Sequence, residues 1–442
     1  MLTELRIQNF KSWRDTGAMH FAPLTGFFGP NSSGKSSLLQ FLLLLKQTSE
    51  SNQLSQVLEL GYDKQRAYVN LGTFQDIIFQ NRVSESLEFE FEWSLGSSRQ
   101  VFNALNKIIS FPTAPKEIRF KAKIHQEGNR HLMVDNFGYH FGSYYMGLQK
   151  EFPSLSPDYK FETDVAGVES LLGDEFDKRL APIKFYGFPY GWVTNMPIPP
   201  LLSILLESFF QGVLYLGPLR EYPNRSYLWS GEKPSDVGNR GERAVAALLD
   251  EYGIQNNVAK ALKHLGLIYK IELREVRQDG SEYEVRIRQT ETSPSVLLTQ
   301  VGFGVSQVLP IVTLCYYAPE GSTIILEQPE IHLHPAVQAG LADVFIDVIK
   351  NRGVQIILES HSEHLLYRLQ RRMAEEKLVP EDLALYFTHM ENGESKLDEL
   401  KLDEYGNISN WPDNFFGERM DDLIKMAEAA MRRQGVIEVN EA

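Results

Sequence analysis

Eight consecutive residues, Gly29-Pro30-Asn31-Ser32-Ser33-Gly34-Lys35-Ser36, satisfy the pattern G-x-x-x-x-G-K-[ST] without a gap. The chemistry that suits this spacing is the holding of a polyphosphate. Two glycines let backbone N–H groups close around the β- and γ-phosphates, and a helix that follows adds the positive end of its dipole. The Lys35 ammonium neutralises phosphate charge, and the Ser36 hydroxyl is a ligand for Mg²⁺. Asn31, Ser32, Ser33, Gly34 and Ser37 complete the expected cradle. The implied ligands are ATP and Mg²⁺. A second group of chemically apt residues lies far along the chain. Glu327 ends an apolar run, Gln328 and Glu330 follow it closely, and His361 follows another such run. An acid at the C-terminal end of a buried parallel strand is placed to meet a phosphate-bound cation.

Such residues need rigid elements behind them. Leu24–Phe28 reads as a short buried strand and Ser37–Leu45 as an apolar helix, so the glycine loop sits between strand and helix. Thr323–Leu326 reads as a buried strand rich in β-branched residues. Pro335 suits the first turn of the next helix, Val337, Leu341, Val344 and Val348 give it an apolar stripe, and Gly353 closes it. A second apolar strand, Val354–Leu358, leads into Glu359-Ser360-His361-Ser362. Strand, helix, strand, each strand ending in a polar residue, describes an α/β nucleotide site. Elsewhere the period is two. Leu87–Trp93 alternates strictly, as do Ile118, Phe120, Ala122 and Ile124, each strand with one buried face. Leu5–Phe10 and Gly17–Phe21 read as short strands, and Asp279-Gly280 turns a hairpin. From about 95 to 215 the chain is rich in aromatics, Pro and Gly, without the sustained heptads of a coiled-coil arm.

With 442 residues, 43% of them hydrophobic and 23% charged, the chain is long enough for a large core and is not of disordered composition. The single cysteine, Cys315, excludes a disulfide within the chain and suits a reducing cytosol. Met1–Arg6 lack the apolar stretch of a signal peptide, and no apolar run reaches the roughly 20 residues of a bilayer crossing. The expectation is a soluble cytoplasmic protein with no membrane partner. A net charge of −14 repels nucleic acid at long range, so DNA binding needs a local basic face. Two candidates are Lys116, Arg119, Lys121 and Lys123 on a strand, and Arg368, Arg371 and Arg372 on a helix. The favoured reading of both is a solvated surface, because no stacking aromatics interleave.

Several motifs together resemble the ABC-type ATPase heads of SMC, RecF-like and overcoming-lysogenization-defect (OLD) proteins. Asn9-Phe10-Lys11-Ser12 before the glycine loop is similar to the family's opening, and Glu327-Gln328-Pro329-Glu330-Ile331-His332-Leu333-His334-Pro335 to the Walker B and D-loop stretch of the OLD-like branch. Ser360-His361-Ser362 resembles that branch's switch histidine, and Val301–Gln307 a divergent signature in which either Ser306 or the Gly302/Gly304 pair would meet the γ-phosphate held by a second copy. Tyr215–Arg220 through Gly238–Glu242, with Trp411–Phe416, resemble stand-alone ATPases carrying a short C-terminal domain of unknown function.

The fold this implies is α/β, a P-loop ATPase head with a mixed sheet, flanking helices and an antiparallel β subdomain. The expected division is 1–94 and 213–370 as the two ATPase lobes, 95–212 as an insertion and 371–442 as the C-terminal domain, with a final helix near 420–433. The implied partners are a second copy through ATP-sandwiched heads, as homodimer or higher oligomer, and a separately encoded effector such as a nuclease or toxin, with DNA also possible. Gln328 stands where a catalytic glutamate is usual, and an amide cannot accept a proton. Either Glu330 is the base, or hydrolysis is slow and the nucleotide acts as a switch. Gln75 is the candidate amide for Mg²⁺, beside Ser36 and Glu327. The His332/His334 and His361/His364 pairs lack the further ligands of a zinc site.

Overall fold

The computed structural model describes residues 1–61, 67–96, 115–128, 131–151, 158–165, 181–189 and 198–412, with Phe415, Lys425, Met426, Ala430, Met431 and Arg433. Much of the stretch 95–212, and most of the helix expected near 420–433, lie outside these residues. Two large sheets face each other across one helix.

The first sheet is antiparallel, in the order Trp13–Asp15, Leu2–Phe10, Leu87–Ser94, Glu117–Glu127, His131–Phe141, Tyr144–Lys150, Tyr159–Thr163, with Met19–His20 also on Leu2–Phe10. Alternation in the sequence becomes alternation in space: Leu87, Phe89, Phe91 and Trp93 are buried while Glu88, Glu90 and Glu92 face outwards. The inner face is aromatic. Phe89 meets Phe41 of helix Lys35–Glu50 edge-on with ring centroids 5.1 Å apart, and Trp93 lies 5.7 Å from Phe209 of helix Ile198–Gln211. The outer face pairs its charges. Arg119 reaches Glu92 at 3.0 Å and Glu90 at 3.1 Å, and Lys123 reaches Glu88 at 2.7 Å. Two of the four cations of this row, Arg119 and Lys123, are therefore paired with acids of the neighbouring strand. Arg368 and Arg372 likewise both bind Asp343, and Arg371 binds Glu375.

The second sheet runs in the order Val213–Leu216, Thr323–Glu327, Gln355–Glu359, Leu24–Phe28, Leu383–Glu391, Glu394–Glu399. The first five strands are parallel and the last is antiparallel. Buried on both faces, its strands read as continuous apolar runs. Helix Lys35–Glu50 covers one face, and Leu42–Leu45 are all buried because the helix has a sheet on either side. Helices Phe303–Tyr317, Pro335–Arg352 and Glu363–Ala374 enclose the second core on the other face. Gly353 ends the middle one in the left-handed conformation (φ 57°), as its place in the sequence predicts. The expected hairpin forms from Lys270–Glu275 and Glu282–Arg288 within a small third sheet.

Sheets and helices run across two of the expected boundaries. Leu87–Ser94 pairs with Glu117–Glu127, so the antiparallel sheet runs across position 95. Position 370 falls inside helix Glu363–Ala374, and Leu383–Glu391 after it pairs with the glycine-loop strand Leu24–Phe28. Over 383–399 the expected C-terminal domain is part of the nucleotide sheet; a separate body would leave that strand's edge unpaired. Among the described residues no helix is long and apolar enough to cross a membrane.

Candidate functional site

The glycine loop leaves Leu24–Phe28 and enters helix Lys35–Glu50 at the C-terminal edge of the parallel sheet. Gly29 and Gly34 have φ of 135° and 98°, and a Cβ there would run into the Thr388 carbonyl and the Ser395 side chain. The hairpin of Leu383–Glu391 and Glu394–Glu399 thus presses on the loop from behind. The Ser33 hydroxyl bonds to that of Thr388, and the Trp13 indole N–H donates to the Gly34 carbonyl at 3.1 Å. Ser33 is therefore a buried strut. Asn31 and Ser32 stand exposed on the loop, and with Ser33, Gly34, Lys35, Ser36 and Ser37 they line a cavity of about 220 Å³. Lys35 Nζ donates to the Gly29 and Pro30 carbonyls at 3.0 and 2.7 Å, and burial lowers its pKa against the pull of Glu359 and Glu330.

Gln328 and Glu359 close the cavity opposite the helix, with Ser12 at its rim. Gln328 has a positive φ of 44°, and its N–H donates to the Glu359 carbonyl at 2.9 Å. Glu327 and Glu359 are register partners on adjacent strands, so both acids arrive at one sheet edge. Burial first, and then the charge of Glu359, push Glu327 up to about 7. The Tyr215 hydroxyl donates to Glu327 Oε1 at 3.0 Å and opposes that rise. Buried Arg220 donates to the carbonyls of Glu327 and Gln328, both at 3.2 Å, and holds the turn after the strand. Burial likewise raises Glu359, against the Ser36 hydroxyl and the Lys35 charge. Its Oε2 is buried without a hydrogen-bond partner. Two carboxylates at one sheet edge, one of them beside the Ser36 hydroxyl and with an open oxygen, suit the hard cation of a bound nucleotide.

Other expected residues sit elsewhere. Glu330 is buried and accepts the His361 N–H on Oε1 at 2.6 Å; it does not line the cavity. Through Oε1 the carboxylate ties the loop after Gln355–Glu359 to the turn after Thr323–Glu327, while its Oε2 is buried without a hydrogen-bond partner. The His361 ring lies beside the Gly29 backbone and Lys35, and its pKa is lowered by partial burial and then by that ammonium. Gln75 is exposed on the short helix Phe74–Ile77, outside the cavity lining, where that helix is held by the Lys11 N–H to the Ile77 carbonyl. Ser306 is buried and donates to the Phe303 carbonyl at 2.8 Å, while Gly302 and Phe303 are exposed at the start of their helix. Neither Gly304 nor Ser306 touches this chain's own cavity. His334 caps helix Pro335–Arg352 through Nδ1, and among the described residues no group of three metal-ligating side chains forms. Glu359 and Ser12 are the lining residues that motif reading passed over; Glu359 carried the same signal as Glu327, an acid ending an apolar strand.

Comparison with known proteins matches residues 1–141 and 239–366 to the family described as AAA ATPase domain. The chain belongs to this ATPase family. The two matched segments of the AAA ATPase domain carry the glycine loop and the two acid-ended strands. Residues 378–426 match a second family, described as a protein of unknown function, DUF3696. Among solved structures the chain is similar to an SMC head bound to the C-winged helix domain of ScpA, at 14% identity and a TM-score of 0.50 over 91% of this chain and 98% of that one. This likeness shows the fold, that of a P-loop ATPase head. An SMC head domain from Thermotoga maritima is similar at 12% identity and a TM-score of 0.42, over 91% of this chain and 99% of that one. No curated protein matches the chain.

Proposed function

We propose that this chain binds Mg-ATP in the glycine-loop cavity and acts as an ABC-type ATPase head, two copies closing on bound nucleotide to control a separately encoded protein. The observation that carries the reading is the convergence on one cavity of Lys35, Ser36, the loop backbone, Gln328 and a buried carboxylate. Lys35 exchanges its bonds to the Gly29 and Pro30 carbonyls for phosphate oxygens, and the helix N-terminus faces the same charge. The cation, when bound, neutralises phosphate charge as it develops. Gln328 orients a water through its amide, and His361, beside Gly29, responds to the terminal phosphate.

Dimerisation is supported by the exposed start of helix Phe303–Tyr317, where the N–H groups after Gly302 are open to an anion held by another copy. With the Ser306 hydroxyl turned inward, backbone rather than side chain makes that contact. A protein partner is favoured over DNA: the chain is acidic and most residues of its two basic rows are paired with acids. An SMC head of this fold is bound to a winged-helix protein domain, and the OLD-like motifs favour a nuclease or toxin in a defence or repair setting. A second reading, an ATP-held scaffold that barely hydrolyses, draws support from Gln328 in the cavity and from Glu330 being occupied by His361. Phosphate release with Mg-ATP, beside Lys35→Ala and with molecular size measured with and without nucleotide, tests both. Turnover above roughly one per minute that is lost in the variant supports the ATPase. Assembly with ATP but no turnover supports the scaffold, and neither one sinks the proposal.

A further inference from the structure

We propose that the segment matched to the family of unknown function sets the shape, and with it the affinity, of the phosphate loop, with Thr388 as the positioning residue. The inference rests on the glycine loop being a nucleotide site. The Thr388 hydroxyl is fully buried and donates to the Phe28 carbonyl at 3.2 Å, where the chain enters the loop. Its one proton is engaged there, so the Ser33 hydroxyl, near the loop's exit, donates to Thr388 Oγ1. One oxygen thus joins the two ends of the loop. On the returning strand, the Ser395 hydroxyl donates to that of Ser12 at 2.6 Å, and the Ser395 N–H donates to the Ser12 carbonyl at 2.8 Å. Ser12 in turn stands at the rim of the cavity. Both loop glycines lie so close to this hairpin that a side chain at either would displace it.

The hold comes from both faces of the sheet. Consecutive strand residues point to opposite sides, so Phe387 faces away from Thr388. Phe387 is the register partner of Phe28, the last residue before the loop. Phe415 packs on both rings, with centroids 4.9 and 6.1 Å away, and Trp411 meets it edge-on at 5.0 Å. A loop tied at both ends has fewer shapes to lose when it closes on phosphate. Untied, it binds only in the fraction of time that it holds the right shape, and affinity falls by that fraction. By reciprocity, a nucleotide that favours the tied loop also favours the seated hairpin and Phe415. The segment of unknown function therefore tunes the site and registers its occupancy.

The test is equilibrium binding of fluorescent N-methylanthraniloyl ATP, with Mg²⁺, to the full chain. Thr388→Val keeps the shape of the side chain, removes the hydroxyl and should weaken binding about tenfold. Thr388→Ser keeps the hydroxyl and should stay within about twofold of the unmodified protein, whereas a packing defect alone would weaken both variants. A loss of less than about threefold in Thr388→Val, or an equal loss in the two variants, overturns the proposal. Equal binding by the unmodified protein and Lys35→Ala would instead sink the nucleotide site itself. Amide hydrogen exchange of the unmodified protein tests the reciprocal half, and it decides the matter should Thr388→Val not fold. ATP should slow exchange severalfold across residues 383–399 and leave the remote hairpin at 270–288 unchanged. No slowing at 383–399, or equal slowing in both hairpins, refutes the coupling.

Discussion

Two neighbouring strands end in the same four residues, Ile324-Ile325-Leu326-Glu327 and Ile356-Ile357-Leu358-Glu359, and pair in register, yet their acids differ in what they touch. The first strand has Val213–Leu216 on its outer side, and Tyr215 there takes the Glu327 carboxylate. The second has Leu24–Phe28 on its outer side, and with it the glycine loop. Glu359 therefore faces the cavity, and Glu327 is held by a tyrosine. Identical local sequence gives identical strands; the neighbour in the sheet decides what each terminal acid touches.

That contrast can be pressed from several directions. The largest effect is expected at Lys35, which lies on the Glu359 side. Lys35→Ala should weaken ATP binding by two orders of magnitude or more, roughly 3 kcal/mol, in an equilibrium titration. Glu327 should show its difference in stability. Its pKa in the folded chain is about 7 against an ordinary 4.5, so the folded state keeps a proton that the unfolded state releases. Stability from this group is complete below pH 4.5 and is lost as pH rises towards about 7. Glu327→Gln removes that loss and should stabilise the nucleotide-free protein by roughly 2 kcal/mol at pH 8, with little gain at pH 4, in denaturant melts. A smaller effect is expected at the tyrosine that sets the two acids apart. Tyr215→Phe removes a hydrogen bond that lowers Glu327, so the pH-dependent loss should extend upwards and cost about 1 kcal/mol more above neutrality. The smallest effect is expected at Glu330, where Glu330→Gln keeps an oxygen for the His361 N–H and should change phosphate release by no more than about threefold. A loss of a hundredfold there would restore Glu330 as the base and break the comparison.

Much of the frame was legible because each signal was local. The glycine loop with its strand and helix, the alternation in Leu87–Ser94, the Pro335 start and Gly353 stop of one helix, and the Asp279-Gly280 turn all depend on residues a few positions apart. The site was legible in part. Lys35, Ser36 and Gln328 stand in one cavity as their motifs suggest, whereas Glu330 and Gln75 do not. The place of Glu330 was not legible because spacing along a chain does not reveal that a backbone N–H from another loop will bond to a carboxylate. That the C-terminal hairpin joins the glycine-loop sheet was not legible, because two short strands carry no mark of the sheet they will join.

The sequence by itself determined that this chain has a polyphosphate loop, two acid-ended buried strands and an antiparallel sheet with one aromatic face. Those properties follow from backbone freedom at glycine, from helix and strand periods, and from burial of apolar side chains. Only the tertiary structure decided which acid meets the loop, that Ser306 turns inward, and that strands from position 383 onwards brace Gly29 and Gly34. These depend on strand order, and strand order is set by packing between segments hundreds of residues apart, where no local pattern reaches.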